Sequence, residues 1–218
     1  MSPPVPLSVR VWGDLACFTR PELKAERVSY PLMTPSAARG VLEAIFWKPQ
    51  FRWEVVSIEV LRPVSWITFR RNEVASIPAL ASVRTWSSSG GGYDVETDRD
   101  QRSTLALRDV AYVVKAQIVP ASGSEGDGAG YRDQFRRRVD RGRCFSQPFL
   151  GCREFAAGFG PVDPSERPID WDDHLGLMFY GFDYATTPPA SHWFAARLEH
   201  GVMLVPAEPL AEDAPGSS

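Results

Sequence analysis

The segment that most constrains the fold is LALRDVAYVVKAQIVP, at residues 105–120. Its side chains alternate between two faces of an extended chain. One face carries Val110, Tyr112, Val114, Ala116 and Ile118, and the other carries Ala111, Val113, Lys115, Gln117 and Val119. A period of two is typical of a β-strand. The sequence therefore predicts its strongest strand here, and the fold has to provide a sheet that includes it.

The first helix has the best-defined start in the chain. Thr34 is a favoured N-cap, and Pro35 suits the first helical position because its φ angle is already fixed near the helical value. The helix is predicted to follow in SAARGVLEAIFW and to end before Pro49. Its buried stripe is predicted to consist of Ala37, Val41, Ala44 and Ile45.

Further strands are predicted on both sides of the central one. Strand alternation is found at residues 7–13, 53–61, 64–72, 175–184 and 192–205. In the segment at 53–61, Val56, Ile58 and Val60 are predicted to face one way, and in the next segment Ile67 and Phe69 share a face. Pro63 separates these two strands, since proline cannot donate a ladder hydrogen bond.

The order of these elements predicts the fold class. A second amphipathic helix is predicted at residues 131–143, where Tyr131, Phe135 and Val139 form one apolar stripe. Strand, helix, strand, strand, helix, strand is the order of the ferredoxin-like fold, which RNA-binding (RRM-related) modules share. The fold class is therefore predicted to be α+β, a ferredoxin-like domain with an additional small antiparallel β-sheet subdomain.

Charge is segregated along the chain, although the formal net charge is only −3. The helix at 131–143 carries six arginines against two aspartates, whereas the segments 162–173 and 207–218 hold much of the acid. Arg136, Arg137 and Arg138 therefore form a candidate nucleic-acid helix. The alternative is that the basic and acidic segments are solvated surfaces of opposite sign.

Cysteine, histidine and aspartate spacing predicts neither a metal nor a cofactor. Cys17, Cys144 and Cys152 match no common zinc spacing and are expected to be reduced thiols. His174, His192 and His200 are scattered and are expected to be structural. The alternative is a cation held by Asp170, Asp172 and Asp173, for which the sequence shows no completing oxygen ligands.

The sequence predicts a cytoplasmic protein that does not cross a membrane. The first residues, MSPPVPLSVRVW, lack a positive region followed by an apolar region. No window approaches the roughly 18 consecutive apolar residues that a membrane span needs.

Basic side chains near aromatic and amide residues favour binding of single-stranded RNA. A helix that begins Thr-Pro-Ser presents free N–H groups to a phosphate, although ordinary capping explains the same residues. Arg39 follows one turn later, and Phe18 lies in the loop before the helix. The candidate RNA-binding residues are Arg20, Lys24, Arg27, Thr34, Arg39, Lys48, Arg70, Arg71 and Asn72.

Four longer runs resemble one known family. They are VWGDLACFTRPELKAERVSYPLMTPSAARGVLEAIFWKP, FRRNEV, QRSTLALRDVAYVVKAQI and CFSQPFLGCREF. Over residues 11–184 the chain resembles the CRISPR-associated Cas five family, in the subtype I-C form that is often written with the suffix d. The resemblance implies metal-independent cleavage of precursor CRISPR repeat RNA at the base of its hairpin, by attack of a ribose 2′-OH. It also implies that the 5′ handle stays bound in a surveillance complex with Cas seven backbone and Cas eight large subunits.

The same resemblance implies catalytic positions. The family is credited with a tyrosine on the first helix, and with a lysine and a histidine in the run matching YVVKAQI. This chain has Phe46 at the tyrosine position, Lys115 as the lysine and Gln117 where a histidine might have been expected. Many relatives have a histidine at the place of Ser146. Tyr30, Tyr112 and Lys48 are the alternative sources of a base.

The sequence also predicts a division of the chain, and it leaves two alternative functions open. Residues 1–160 are predicted to form the RNA-binding and catalytic domain, with flexible loops near 87–100 and 120–130. Residues 161–206 are predicted to form a small C-terminal β-sheet subdomain, and 207–218 a disordered tail. The alternatives to the endoribonuclease are a handle-binding subunit that has lost its chemistry at positions 46 and 117, and general DNA binding through the arginine helix.

Overall fold

The computed structural model describes residues 5–23, 26–74, 76, 78–121 and 128–210. The helices are α1 (Pro35–Ile45), α2 (Leu80–Ser89) and α3 (Gly128–Asp140). The strands are β1 (Leu7–Ala16), β2 (Arg27–Val28), β3 (Phe51–Val60), β4 (Trp66–Val74), β5 (Arg99–Pro120), β6 (Gly158–Gly160), β7 (Asp173–Asp183), β8 (Ala190–Glu199) and β9 (Val202–Leu204). The predicted α+β class is confirmed by this mixture.

The nine strands of the described chain form one sheet. Its main order is β6-β1-β5-β3-β9-β8-β7, while β2 and β4 also pair with β5. The β2–β5 pair is parallel, and the other pairs between these strands are antiparallel. The C-terminal strands were expected in an additional sheet, but β9 pairs with both β3 and β8 and so joins them to the main sheet. The assignment of residues 161–206 as a subdomain stays a prediction.

The predicted strongest strand is part of β5, which is longer than the predicted segment and is central in the sheet. β1 lies on one edge and pairs as far as Leu107, which is also paired with β4. One residue cannot pair with two strands on the same edge, so β4 lies on the opposite edge. β3 lies on that opposite edge too, because residues 112–116 of β5 pair with both β1 and β3. β3 and β4 therefore follow one another along a single edge of β5.

The core lies between one face of this sheet and the helices α1 and α3. Val9, Val11 and Val114 are fully buried on that face, which confirms the predicted alternation of β1 and β5. Trp53 of β3 packs on Phe135 of α3, with ring centroids 4.7 Å apart. We call this the helix face and the opposite side the outer face.

Two predicted buried stripes need correction. On α1 the buried residues include Ala38 and Leu42, whereas Ala37 and Ala44 are only half-buried at the margin of the stripe. The set at 38, 41, 42 and 45 is the one that a period of 3.6 places on a single side of the helix. In β3 the register shifts between Val55 and Ser57, so a β-bulge takes Val56 out of the alternation with Ile58 and Val60.

The prediction of a flexible loop at 87–100 is wrong at both ends of that range. α2 continues to Ser89, and β5 begins at Arg99. Serine is a weak helix former because its hydroxyl competes for backbone groups. In α2 those hydroxyls turn back onto the helix, since Ser89 Oγ donates to the Thr85 carbonyl at 2.8 Å. In the second predicted loop, residues 122–127 lie outside the described residues, as do residues 211–218 of the predicted tail.

Two glycines provide a matched test of the backbone. Gly40 lies on the exposed side of α1, where an added methyl group would meet no other atom within 4 Å, whereas Gly151 has φ +82° and the Cys17 carbonyl directly in the way. Gly40→Ala is expected to raise the free energy of unfolding by about 1 kcal/mol, because alanine has the higher helix propensity. Gly151→Ala is expected to lower it by roughly 2 kcal/mol or more. Urea unfolding of both variants checks the prediction, and equal effects would contradict it.

Candidate functional site

Lys115 and Gln117 lie on the outer face of β5. Lys115 stands opposite Ser8 of β1 and Ser57 of β3, and its ammonium group forms an ion pair with Glu59. The Lys115 side chain is 41% exposed, so it is open to a ligand from solvent. Gln117 is half-buried two residues further along the same face, opposite Glu54. The structure therefore brings these two predicted site residues together.

Phe46 lies on the helix face and is 1% exposed. Its ring packs on Phe51 and Tyr131, with centroids 5.4 and 6.3 Å away. Its carbonyl accepts a hydrogen bond from Trp53 Nε1 at 2.8 Å. The sheet therefore separates Phe46 from Lys115. In this chain, position 46 is occupied by a core residue.

The two tyrosines considered as alternative bases are buried. Tyr30 and Tyr112 both contribute to the core. Burial raises the pKa of Tyr30 to about 12, and burial also raises the pKa of Tyr112. A phenol that is inaccessible and harder to deprotonate than usual is a poor base for RNA. Lys48, the third alternative, is exposed just after α1.

Arg27 and Arg71 are held in a cluster of opposite charges. Arg27 lies 3.0 Å from Glu73 and 3.4 Å from Glu154, and Arg71 also pairs with Glu154. The Arg71 guanidinium lies 4.8 Å from the centroid of the Phe69 ring. We call these four charged residues the arginine–glutamate cluster. It orders both predicted RNA-binding arginines, and it also balances their charge.

Arg70 and Asn72 lie on the other face of β4, where both are exposed. They stand opposite Ser103 and Gln101 of β5. Trp66 is four residues before Arg70 on the same strand face, and it is 43% exposed. The sequence analysis missed Trp66, although counting back from Asn72 with a period of two finds it. A cation, an amide and an exposed ring thus share one open strand face.

The remaining predicted contacts are dispersed. Arg20 covers the Tyr30 ring at 4.4 Å and lies 3.4 Å from Glu22. Lys24 lies outside the described residues. Thr34 is buried, and its hydroxyl accepts the Ala37 N–H at 3.2 Å, so its first role is that of the N-cap.

Arg39 has an unusual position between α1 and β7. Its Nε atom is buried and has no hydrogen-bond partner in the described part of the chain. The guanidinium lies 6.0 Å from the centroid of the Tyr180 ring. Burial raises the pKa of Glu43, and the Arg39 charge opposes that rise. The Arg39 side chain is therefore part of the contact between α1 and β7.

The arginine helix does not present three equivalent cations. Arg138 donates to the Ile45 carbonyl at 2.7 Å and lies 5.3 Å from the Phe46 ring centroid, so it caps the end of α1. Arg136 pairs with Asp133 at 2.9 Å on the exposed side, and Arg137 is also exposed. The nucleic-acid surface at 136–138 stays a prediction, and within it the Arg138 side chain is already engaged in the fold.

Among the described residues, one group has metal-ligand spacing. Ligand atoms of Asp170, Asp172 and His200 lie within 4.8 Å of one another, and all three residues are exposed. Asp173, the third aspartate of the predicted alternative, lines a cavity of about 420 Å³ together with His174, and Asp172 and His200 line the same cavity. The remaining histidine, His192, lies 4.0 Å from Asp183. Exposed acidic groups are common without an ion, so this group does not identify a metal centre.

Comparison with known proteins identifies the family. A family model described as CRISPR-associated protein (Cas_Cas5) matches residues 7–208. The chain belongs to this Cas5 family. The match confirms the resemblance that the four sequence runs indicate.

Two curated relatives agree with this membership, and one solved structure has a similar fold. "CRISPR pre-crRNA endoribonuclease Cas5d" of Mannheimia succiniciproducens is 40% identical, over 92% of this chain and 94% of the relative. The protein of the same name from Thermus thermophilus is 39% identical, over 94% of this chain and 93% of the relative. A structure described as "Crystal Structure of CRISPR-associated Protein" has a TM-score of 0.67 at 23% identity, covering 92% of this chain and 91% of that chain, and supports the fold.

No helix in the described part of this Cas5 family member combines the length and apolar character needed to span a membrane.

Two of the arginines of α3, Arg138 and Arg136, provide a test of these assignments. Arg138→Ala is expected to lower the free energy of unfolding by about 2 kcal/mol, because it removes a charged hydrogen bond to the end of α1. Arg136→Ala is the matched control and is expected to change it by no more than about 0.5 kcal/mol. Thermal or urea unfolding measures both. Equal stability of the two variants would show that Arg138 does not cap α1.

Proposed function

We propose that this protein is a metal-independent endoribonuclease that cleaves precursor CRISPR repeat RNA at the base of its hairpin. The observation that carries the proposal is the 40% identity, over more than nine-tenths of both chains, to a protein named CRISPR pre-crRNA endoribonuclease Cas5d. After cleavage the protein keeps the 5′ handle in a type I-C surveillance complex. Its partners there are the Cas seven backbone and Cas eight large subunits, in the cytoplasm.

The proposal includes a ferredoxin-like (RRM-related) arrangement for the N-terminal part of the chain. Strand order β6-β1-β5-β3, with α1 after β1 and α3 before β6, supports it. In this arrangement β3 and β4 together act as the second strand and β5 as the third. The ferredoxin-like order is thus satisfied by different strands from those that the sequence predicts, because the segments at 53–61 and 64–72 follow one another along one edge.

The proposed reaction needs geometry and charge more than it needs a cofactor. The 2′-OH beside the scissile phosphate loses its proton and attacks in line, which leaves a 2′,3′-cyclic phosphate and a 5′-OH. Negative charge grows on the phosphate oxygens in the transition state, where a positioned cation is most effective. Lys115 is the proposed source of that charge, with Gln117 beside it as a hydrogen-bonding group.

The proposed RNA contacts follow the exposed face of β4. Arg70 suits a phosphate, Asn72 suits a base edge and Trp66 suits stacking, which together are the contacts that single-stranded RNA uses. Arg20, Arg27, Arg39, Lys48 and Arg71 are proposed as supporting cations, and Thr34 as the start of a helix that faces the RNA. Several of them are ion-paired in the free protein, so RNA phosphates have to compete with carboxylates for them.

A second candidate function is a handle-binding subunit without its own chemistry. The favouring observation is the identity and burial of Phe46, which has no hydroxyl and lies on the helix face. Gln117 also favours this second function, because a side-chain amide does not act as a base at neutral pH. DNA binding through α3 is less favoured, since Arg138 is engaged with Ile45.

One experiment distinguishes the two candidate functions. Purified protein is incubated in EDTA with its own repeat hairpin and with a copy that has a single 2′-deoxy nucleotide before the expected cut. We expect cleavage of the first RNA alone, because the second lacks the attacking hydroxyl. Binding of both RNAs without cleavage of either would exclude the endoribonuclease and support the handle-binding subunit.

Lys115 and its partner Glu59 provide the matched variants for the mechanism. Lys115→Ala is expected to lower the single-turnover cleavage rate on the order of 100-fold, which is typical for loss of one group that stabilises transition-state charge. Glu59→Gln keeps the ammonium group and removes its competing carboxylate, so the rate is expected to stay at the wild-type value or rise. Wild-type cleavage by Lys115→Ala would remove Lys115 from the mechanism.

A further inference from the structure

The thiols of Cys17 and Cys152 face each other beside the arginine–glutamate cluster. Cys17 directly follows β1, and its N–H donates to the Leu150 carbonyl at 3.1 Å. Cys152 Sγ lies 3.7 Å from the Cys17 carbonyl, and the two thiols share a hydrogen bond. Gly151 permits this close approach, because a side chain there would collide with the Cys17 backbone. Two chain segments far apart in sequence are thus held together, with Cys152 Sγ against the backbone of Cys17.

The surroundings of the two sulfur atoms differ. Cys152 is half-buried, and Arg27 Nη1 lies 4.0 Å from its Sγ. The hydrogen bond from Cys17 lowers the pKa of Cys152, and the Arg27 and Arg71 charges lower it further against the effect of burial. Cys17 is fully buried, and the hydrogen bond to Cys152 raises its pKa, as does burial. Cys152 is therefore the more easily ionised and the reagent-accessible member of the pair.

The third cysteine, Cys144, lacks the surroundings of Cys17 and Cys152. Cys144 is also half-buried, but among the described residues it makes no hydrogen bond to a thiol or a guanidinium. None of the proposed RNA chemistry uses any of the three thiols. The Cys17–Cys152 contact therefore requires its own explanation, and Cys144 serves as an internal reference for it.

We propose that Cys17 and Cys152 form a peroxide-reactive pair that closes to an intramolecular disulfide. The Cys152 thiolate attacks one peroxide oxygen, the O–O bond breaks, and the departing hydroxide takes up a proton to become water. Cys152 is then a sulfenic acid. The Cys17 sulfur attacks it, the S–O bond breaks, and the second water leaves with the Cys17 proton. Two thiols and one hydrogen peroxide thus give one disulfide and two waters.

Formation of the disulfide changes the neighbouring charges. The cluster brings two guanidinium groups, of Arg27 and Arg71, against the carboxylates of Glu73 and Glu154, and Arg27 also lies beside the Cys152 sulfur. Oxidation removes the ionisable Cys152 thiol, so a thiolate can no longer form beside the two arginines. It also ties the segment that carries Glu154 to the end of β1 by a covalent bond.

The test begins with the folded, reduced, full-length wild-type chain. Limited hydrogen peroxide is added, free thiols are blocked with N-ethylmaleimide, and peptides are mapped without reduction. We expect a Cys17–Cys152 linked peptide and a maleimide adduct on Cys144. Before oxidation, we expect iodoacetamide to modify Cys152 on the order of tenfold faster than Cys144 at neutral pH. Recovery of Cys17 and Cys152 as separate adducts, or equal rates at Cys152 and Cys144, would overturn the proposal.

Three variants separate the roles of the pair. With Cys17→Ser the sulfenic acid has no resolving thiol, so dimedone is expected to trap it on Cys152. Arg27→Gln is expected to slow alkylation of Cys152 several-fold, whereas Cys144→Ser is expected to leave both disulfide formation and Cys152 alkylation unchanged. Loss of the disulfide in Cys144→Ser would overturn the assignment of Cys17 as the resolving thiol. If Cys17→Ser does not fold, the wild-type map remains decisive, because it needs no substitution.

Discussion

The pairing of β5 along both of its edges is the constraint on which the rest of the structure depends. β1 occupies one edge, and β3 followed by β4 occupies the other. A strand that is paired on both edges and covered on the helix face has to be apolar on that face, as Val114 and Ala116 are. Each neighbouring strand obtains its register from β5, and β9 then extends the sheet from β3 to the C-terminal strands.

The sheet also divides the protein chemically. Phe46, Phe51 and Trp53 fill the helix face and exclude water, so this side provides stability. Lys115 and Glu59 lie on the outer face, where a charge can remain solvated and still reach a ligand. Phosphate chemistry needs an accessible cation, and packing needs an apolar side chain. Alternation along a strand delivers both requirements within a few residues, and this is why adjacent positions of β5 have such different roles.

Much of the fold could be predicted from the sequence because its signals are local. The alternation at 105–120, the Thr34 cap and the stripe of Phe135 and Val139 all depend on residues near one another in the chain. The bulge at Val56 could not be predicted, since it depends on how β3 accommodates β5 and β9 together. Only the tertiary fold reveals that position 46 and Lys115 lie on opposite faces of the sheet.

The candidate site was less predictable, because long-range partners decide what a charged side chain can do. Arg71 pairs with Glu154 and Arg138 with the Ile45 carbonyl, and both partners are more than 80 residues away. Breaking these two contacts to bind a ligand costs different amounts of free energy. A surface ion pair is typically worth only about 0–1 kcal/mol, so an RNA phosphate can replace Glu154 beside Arg71. Removing Arg138 would leave a carbonyl at the end of α1 without its donor. Competition of this kind therefore leaves Arg71 as a candidate RNA contact and assigns Arg138 to the fold.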